Sequence, residues 1–222
     1  VRRFFRDNGL SVTLFGLFLV ILFAGQSWTG MRSYNEDQST HGGQAVSYPR
    51  YLTTAHFGEA TFENWESEFL QMGAYVMLTV WLRQRGSAES KPPDQPAPVD
   101  EDPAGFRSAP DAPWPVRAGG VAAALYRNSL SIAFFTLFAA SFLLHAATGA
   151  RELTNEQHLH GEAGVGTLAY MARSQFWFQS FQNWQSELLA MGSIVVLTIF
   201  LRQQGSPESK AVHAPHSQTG TC

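Results

Sequence analysis

Two glutamates stand where a carboxylate is expensive. Glu68 and Glu187 each stand just ahead of an apolar run, in the polar outer third of a span, inside matching blocks that read FENWESEFLQMG over residues 62–73 and FQNWQSELLAMG over residues 181–192. At ~100° per residue, Asn64, Glu68, Met72 and Thr79 fall within an arc of about 80° on a helix, so the shared polar groups form one stripe. Asn183 and Glu187 repeat that stripe. With Arg83 at the inner interface of a bilayer, Glu68 lies 15 residues away, about 22 Å at ~1.5 Å per residue. An ionised carboxylate at that depth must face a bundle interior, pair, or take up a proton. Gln26 lies at matching depth opposite Glu68. His145, 17 residues beyond Asn128 and so about 25 Å up, lies opposite Glu187. The six residues therefore define a candidate proton or cation site. Interhelical hydrogen bonding near a wet interface is the commoner use of such groups.

A second set of capable side chains sits in two polar stretches, YNEDQSTHGG over residues 34–43 and TNEQHLHGE over residues 154–162. His158 and His160, or His41 with Glu36 and Asp37, carry donors that zinc accepts, but the spacing matches no closed zinc site. The pairs His41-Gly42 and His160-Gly161 read more simply as equivalent helix stops. His213 and His216 add nothing stronger. No nucleophile elbow, zincin helix, phosphate loop or dinucleotide fingerprint occurs, so neither an enzyme nor a cofactor is implied. The single cysteine, Cys222, leaves no disulfide or thiolate cage to build. A formal charge of −3 argues against a nucleic-acid partner.

The elements that must hold these groups follow from where charge is missing. Residues 8–31 and 128–150 contain no charged side chain, and each run exceeds the ~20 residues needed to cross a ~30 Å hydrocarbon core. Residues 69–82 and 188–201 are apolar over 14 positions each, and their Phe- and Trp-rich upstream flanks extend them to full spans. The expected fold is therefore all-α and membrane-integral, with four transmembrane helices at about 8–30, 60–83, 128–149 and 179–202. A soluble four-helix bundle is disfavoured, because the first and third runs are apolar on every face.

The two halves are related. An offset of 119 superposes residues 30–91 on 149–210 without a gap, with 27 identities in 62 pairs. The first and third runs align at an offset of 120, Asn8 with Asn128. A start bearing Arg2, Arg3 and Arg6 resembles a twin-arginine leader, but its internal partner cannot be one, which favours a retained first helix. Val1 reads as a start codon translated literally. The organisation is a tandem, parallel repeat of a two-helix hairpin with an outer loop of about 30 residues: residues 1–91, a linker over 92–124, residues 125–210, and a tail over 211–222 expected to be disordered. The linker holds eight of the eleven prolines and should be flexible and partly extended.

Orientation comes from the basic residues. Eleven of fifteen lie at the termini, the linker and the helix exits, against Arg32, Arg50, Arg151 and Arg173 on the other side, which puts both termini in the cytoplasm. Trp65 and Trp184 fit an outer aromatic belt, and Arg83 and Arg202 fit headgroup anchors at the inner side. The bilayer is then the principal partner, and association of the spans into a homo-oligomer is open.

The opening RRFFRDNGLS, the YNEDQSTHG loop, the ENWESEFLQMG entry and the RGSAESK exit together resemble an uncharacterised family of bacterial integral membrane proteins, a domain of unknown function built from two such hairpins. The resemblance covers nearly the whole chain outside the linker and tail. It implies a multi-pass bacterial inner-membrane protein and brings no activity. The function expected is a structural or stress-related membrane component, with a small transporter or channel subunit using Glu68 and Glu187 as the alternative.

Overall fold

A helix that is apolar on every face must satisfy its own backbone, and the first helix does so with two irregularities, at Asn8 and in a π-helical turn. α1 (Arg2–Val20), a π-helical segment (Ile21–Gln26) and α2 (Ser27–Thr40) follow one another without a break. The computed structural model describes residues 2–220; Val1, Thr221 and the expected lone thiol Cys222 lie outside them. Asn8 leaves helical geometry at φ −126°, ψ 16°, and its side-chain amide donates to the Phe4 carbonyl at 3.0 Å. A π turn misaligns carbonyls. Here the Ser27 hydroxyl donates to Leu22 O at 2.6 Å, and the Tyr48 hydroxyl to Phe23 O at 2.6 Å.

The remaining helices are α3 (Tyr48–Tyr51), α4 (Ala55–Trp81), α5 (Trp114–Ala118), α6 (Gly120–Tyr126), α7 (Ser129–Leu159), α8 (Thr167–Met171) and α9 (Ser174–Phe200), with no strand among the described residues. Two helices are long and apolar enough to cross a membrane, Arg3–Thr40 and Ser129–Leu159, and only 6% and 17% of their apolar windows are buried. Both run past the ends expected at 30 and 149. Polar residues with adequate helix propensity carry them on until a glycine stops them. Gly42 (φ 75°) and Gly161 (φ 73°) supply the left-handed turn. Gly43 N–H then donates to Gln38 O at 2.7 Å and Glu162 N–H to Gln157 O at 2.8 Å, the six-to-one bond of a Schellman stop. The stretches that follow these two helices are correspondingly shorter than 30 residues, and α4 and α9 begin about five residues early. Residues 151–159 extend beyond the charge-free run: the 31 residues of α7 measure about 46 Å against a ~30 Å hydrocarbon core.

The chain divides into two units, Val1–Glu63 with Leu143–Phe176, and Asn64–Phe142 with Trp177–Cys222. In the first, Tyr51 and Tyr170 are 1% and 0% exposed. Each phenol presents its hydroxyl edge to a helix where glycine stands, Tyr51 on Gly30 and Tyr170 on Gly149, and a side chain at either glycine would collide with it. Asn35 exchanges two hydrogen bonds with the backbone of Val46, and Thr154 does the same with Val165.

In the second unit the helix exits are locked alike. Arg83 Nη1 donates to the carbonyls of Thr79, Val80 and Leu82 at 3.0–3.2 Å, and Arg202 Nη1 to those of Thr198, Ile199 and Leu201 at 2.8–3.2 Å. The arginines read as headgroup anchors thus cap their own helices. Residues 211–220, read as a disordered tail, are held instead. Lys210 is 1% exposed, and its ammonium donates to the carbonyls of Gly86, Pro215, His216 and Gln218. Gly220 N–H donates to Ser87 O at 2.9 Å. The linker is a series of short turns, several opened by proline, with Lys91 paired to Asp100 and Arg85 to Asp94. Apolar burial was the wrong criterion for these segments, because carbonyls and charges hold them.

Gly30→Ala and Gly149→Ala are expected to cost about 1–3 kcal/mol each by overpacking, read as a lower thermal midpoint in detergent. Gly192→Ala is the control, since a Cβ there meets nothing within 4 Å.

Candidate functional site

The densest titratable cluster lies in the first unit, at the ends of the long helices. The last turns of α2 bring Tyr34, Asp37 and, just past it, His41; α3 brings Tyr51; the first turns of α4 bring His56 and Glu59. The last turns of α7 bring Glu152, Asn155 and Glu156, with His160 just after, and α8 brings Tyr170. Each element is short or ends here because a glycine stop or a tyrosine-on-glycine contact fixes it.

Tyr51 Oη and His56 Nδ1 are 2.9 Å apart, and the Tyr34 ring lies 5.9 Å from Tyr51 and 5.3 Å from His56. A neutral His56 accepts the Tyr51 proton at Nδ1. Tyr170 Oη donates to Glu59 Oε1 at 2.9 Å. Glu152 is 7% exposed and accepts from Asn155 Nδ2 at 3.4 Å. Burial drives its carboxyl up to about 7; Asn155 and the His56 backbone N–H oppose the shift, and the charges of Glu59 and Glu156 add to it. Burial likewise raises Tyr51 to about 12, helped by Glu152. It lowers His56, against the pull of Glu59 and Asp37. The site therefore favours a protonated carboxyl, neutral phenols and a neutral imidazole near neutrality, and it can exchange a proton there.

Alongside, two residues and their partners at the 119-residue offset meet. Asp37 with His41 and Glu156 with His160 border a cavity of about 370 Å³ that Arg173 also lines. The imidazoles of His41 and His160 stand edge to face at 5.6 Å, and Asp37 Oδ1 is 3.6 Å from His41 Nδ1. Among the described residues no three His, Cys, Asp or Glu side chains converge as a metal centre. His158, the third histidine considered for zinc, is exposed.

The residues singled out in the sequence fall in both units. Gln26 donates to Thr61 Oγ1 at 3.2 Å, and His145, 0% exposed, stacks on Phe176 at 4.8 Å; both lie in the first unit. Glu68 and Glu187 lie in the second, where Gln71 of α4 donates to the Glu187 carbonyl at 3.2 Å. Glu68 is exposed and Glu187 half-buried. Asn183 donates to Gln179 O within its own helix, and Asn64 O accepts from Ser67. Trp184 joins Phe138, Trp177 and Phe181 in an aromatic cluster, and Trp65 is half-buried. The cluster around Glu152 escaped the sequence reading, although Gly30 with Gly149 and Tyr51 with Tyr170 were among the identities at the 119-residue offset.

Fold and site together define an all-helical protein with two helices able to cross a membrane and a protonatable cluster at their ends. The chain belongs to the family described as Domain of unknown function (DUF6766), which matches residues 1–221. No curated protein and no solved structure matches it.

A group whose carboxyl is raised from 4.5 to about 7 on folding contributes stability that is full below 4.5 and lost as pH rises through about 7. Between about pH 5 and 8 the thermal midpoint should fall, by the equivalent of about 1–2 kcal/mol after allowing for solvent screening. Glu152→Gln should flatten that part of the profile.

Proposed function

We propose that this chain is a four-span bacterial inner-membrane protein made of two tandem, parallel copies of one hairpin, with a structural role and with both termini and the linker cytoplasmic. The observation that carries it is the exposure of the long apolar helices on all sides. Phe15, Leu10 and Ile21 are 69%, 74% and 64% exposed, an arrangement water penalises and lipid does not. Residues 60–83 and 179–202 complete the spans by length, and the eleven-to-four division of basic residues sets their direction. The duplication is supported by interactions that recur at the same offset: tyrosine on glycine, the Schellman stop, the loop rung and the arginine cap. A structural role is supported by what those recurring residues do, which is pack and cap.

A second reading is favoured by one observation. Gln71, three residues along α4 from Glu68, donates to the Glu187 carbonyl at 3.2 Å, so the two glutamates that align at the 119-residue offset stand on neighbouring helices, where a pair of carboxylates can share a proton or hold a cation.

In a Cys222→Ser background, Ser39→Cys should react with a membrane-impermeant maleimide in intact cells, and Asp111→Cys only after permeabilisation; the reverse pattern sinks the orientation. Glu68→Gln with Glu187→Gln should leave proton and cation flux in vesicles unchanged if the role is structural. A loss of flux in folded protein would establish the second reading.

A further inference from the structure

We propose that the cleft between α4 and α9 in the second unit binds a zwitterionic, amine-bearing phospholipid of the cytoplasmic leaflet. The proposal rests on the membrane reading above. The cleft has a volume of about 450 Å³, inside the ~300–1,000 Å³ range of small-molecule sites. Its apolar walls include Leu78, Leu82 and Leu188, which are 44%, 62% and 56% exposed, together with Met191 and Val195.

A comparison of two glycines shows which side of the helix pair the chain's own side chains fill. At Gly73 a Cβ would touch the ring of Phe135 at 3.3 Å and the Cβ of Phe134 at 3.4 Å, so the chain fills that side of α4 itself. Gly192 holds the same place in α9 at the 119-residue offset and lines the cleft, yet a Cβ there meets nothing within 4 Å. One position is filled by aromatic carbon, and its counterpart opens on apolar space of the right chemistry for an acyl chain.

The rim specifies the headgroup. Glu89 and Arg83 both line the cleft where the apolar walls end. Glu89 Oε2 accepts from Tyr75 Oη at 3.1 Å, which leaves Oε1 for a second donor. Arg83 uses Nη1 on helix carbonyls, and its Nε and Nη2 make no hydrogen bond among the described residues. A guanidinium beside a carboxylate matches a phosphate followed by an ammonium. An anionic headgroup without an amine meets Glu89, and behind it the charge of Glu208, unrelieved.

The test is native mass spectrometry of full-length protein extracted from vesicles of equal phosphatidylethanolamine and phosphatidylglycerol. Wild type should retain the ethanolamine lipid about tenfold over the glycerol lipid, the discrimination one charge-assisted hydrogen bond provides. Glu89→Gln should bring the ratio to about one. Gly192→Phe, which fills the cleft, should lower bound lipid about tenfold, and Gly192→Ala should not. Should Gly192→Phe fail to fold, the Glu89→Gln ratio decides alone. Protein that holds both lipids equally, or a ratio unmoved by Glu89→Gln, overturns the site and leaves the membrane reading standing. Protein released by alkaline carbonate overturns the membrane reading first.

Discussion

A helix with apolar side chains on every face offers its neighbours no hydrogen bond along its length, so whatever fixes its position must act at its ends. That constraint organises the whole chain. The π segment and the residues after it carry polar contacts that tie the first long helix to other elements. Ser27 and Tyr48 take the carbonyls the π turn misaligns, Gln26 reaches Thr61, and Tyr51 closes on Gly30. A glycine is needed at that last contact because nothing larger leaves room for the ring, and the aromatic edge gains dispersion contact with helix backbone that no polar group could supply.

The opposite ends of α4 and α9 meet the same requirement differently. The last carbonyls of a helix have no partners of their own, and one guanidinium nitrogen takes three of them in each case, with Ser90 and Ser209 receiving the first N–H groups beyond. The locks are alike, but their surroundings are not. Lys91 reaches an exposed aspartate in the linker, whereas Lys210 is enclosed by backbone carbonyls of the tail and of Gly86. Burial and the nearby Arg202 charge both lower the affinity of that ammonium for its proton. The carbonyl dipoles are what keep it charged.

These features were unequally legible in the residues. Charge-free runs revealed the two long helices, because hydropathy over twenty positions is a sum that errors at single residues cannot reverse. The glycine stops were legible too, since His-Gly recurs at the fixed offset. Helix ends were misplaced by about ten residues where polar side chains continued a helix that hydropathy had already abandoned. The neighbours of Gln26 and His145 were not legible, as rotation about a helix axis is set by packing that periodicity does not encode. Nor was the enclosure of Lys210, which depends on where a tail folds back.

The division between what recurs at the 119-residue offset and what does not bears on function. Residues that stop, clasp and cap recur: Gly30 and Gly149, Tyr51 and Tyr170, Gly42 and Gly161, Arg83 and Arg202. Residues that titrate at the helix ends mostly do not. Tyr34 aligns with Leu153, His56 with Gln175, Glu59 with Phe178, and Glu152 with Ser33. The cluster around Glu152 therefore draws Tyr34, His56 and Glu59 from one half and Glu152 with Tyr170 from the other, and no second copy of it can form from the aligned residues. Two alike halves would place two alike sites at equal cost. A single asymmetric cluster instead gathers the charges of Glu59 and Glu156 about one buried carboxyl, Glu152, whose affinity for protons is raised first by burial and further by those charges. The packing is thus held in common by both halves, and the chemistry is carried by their differences.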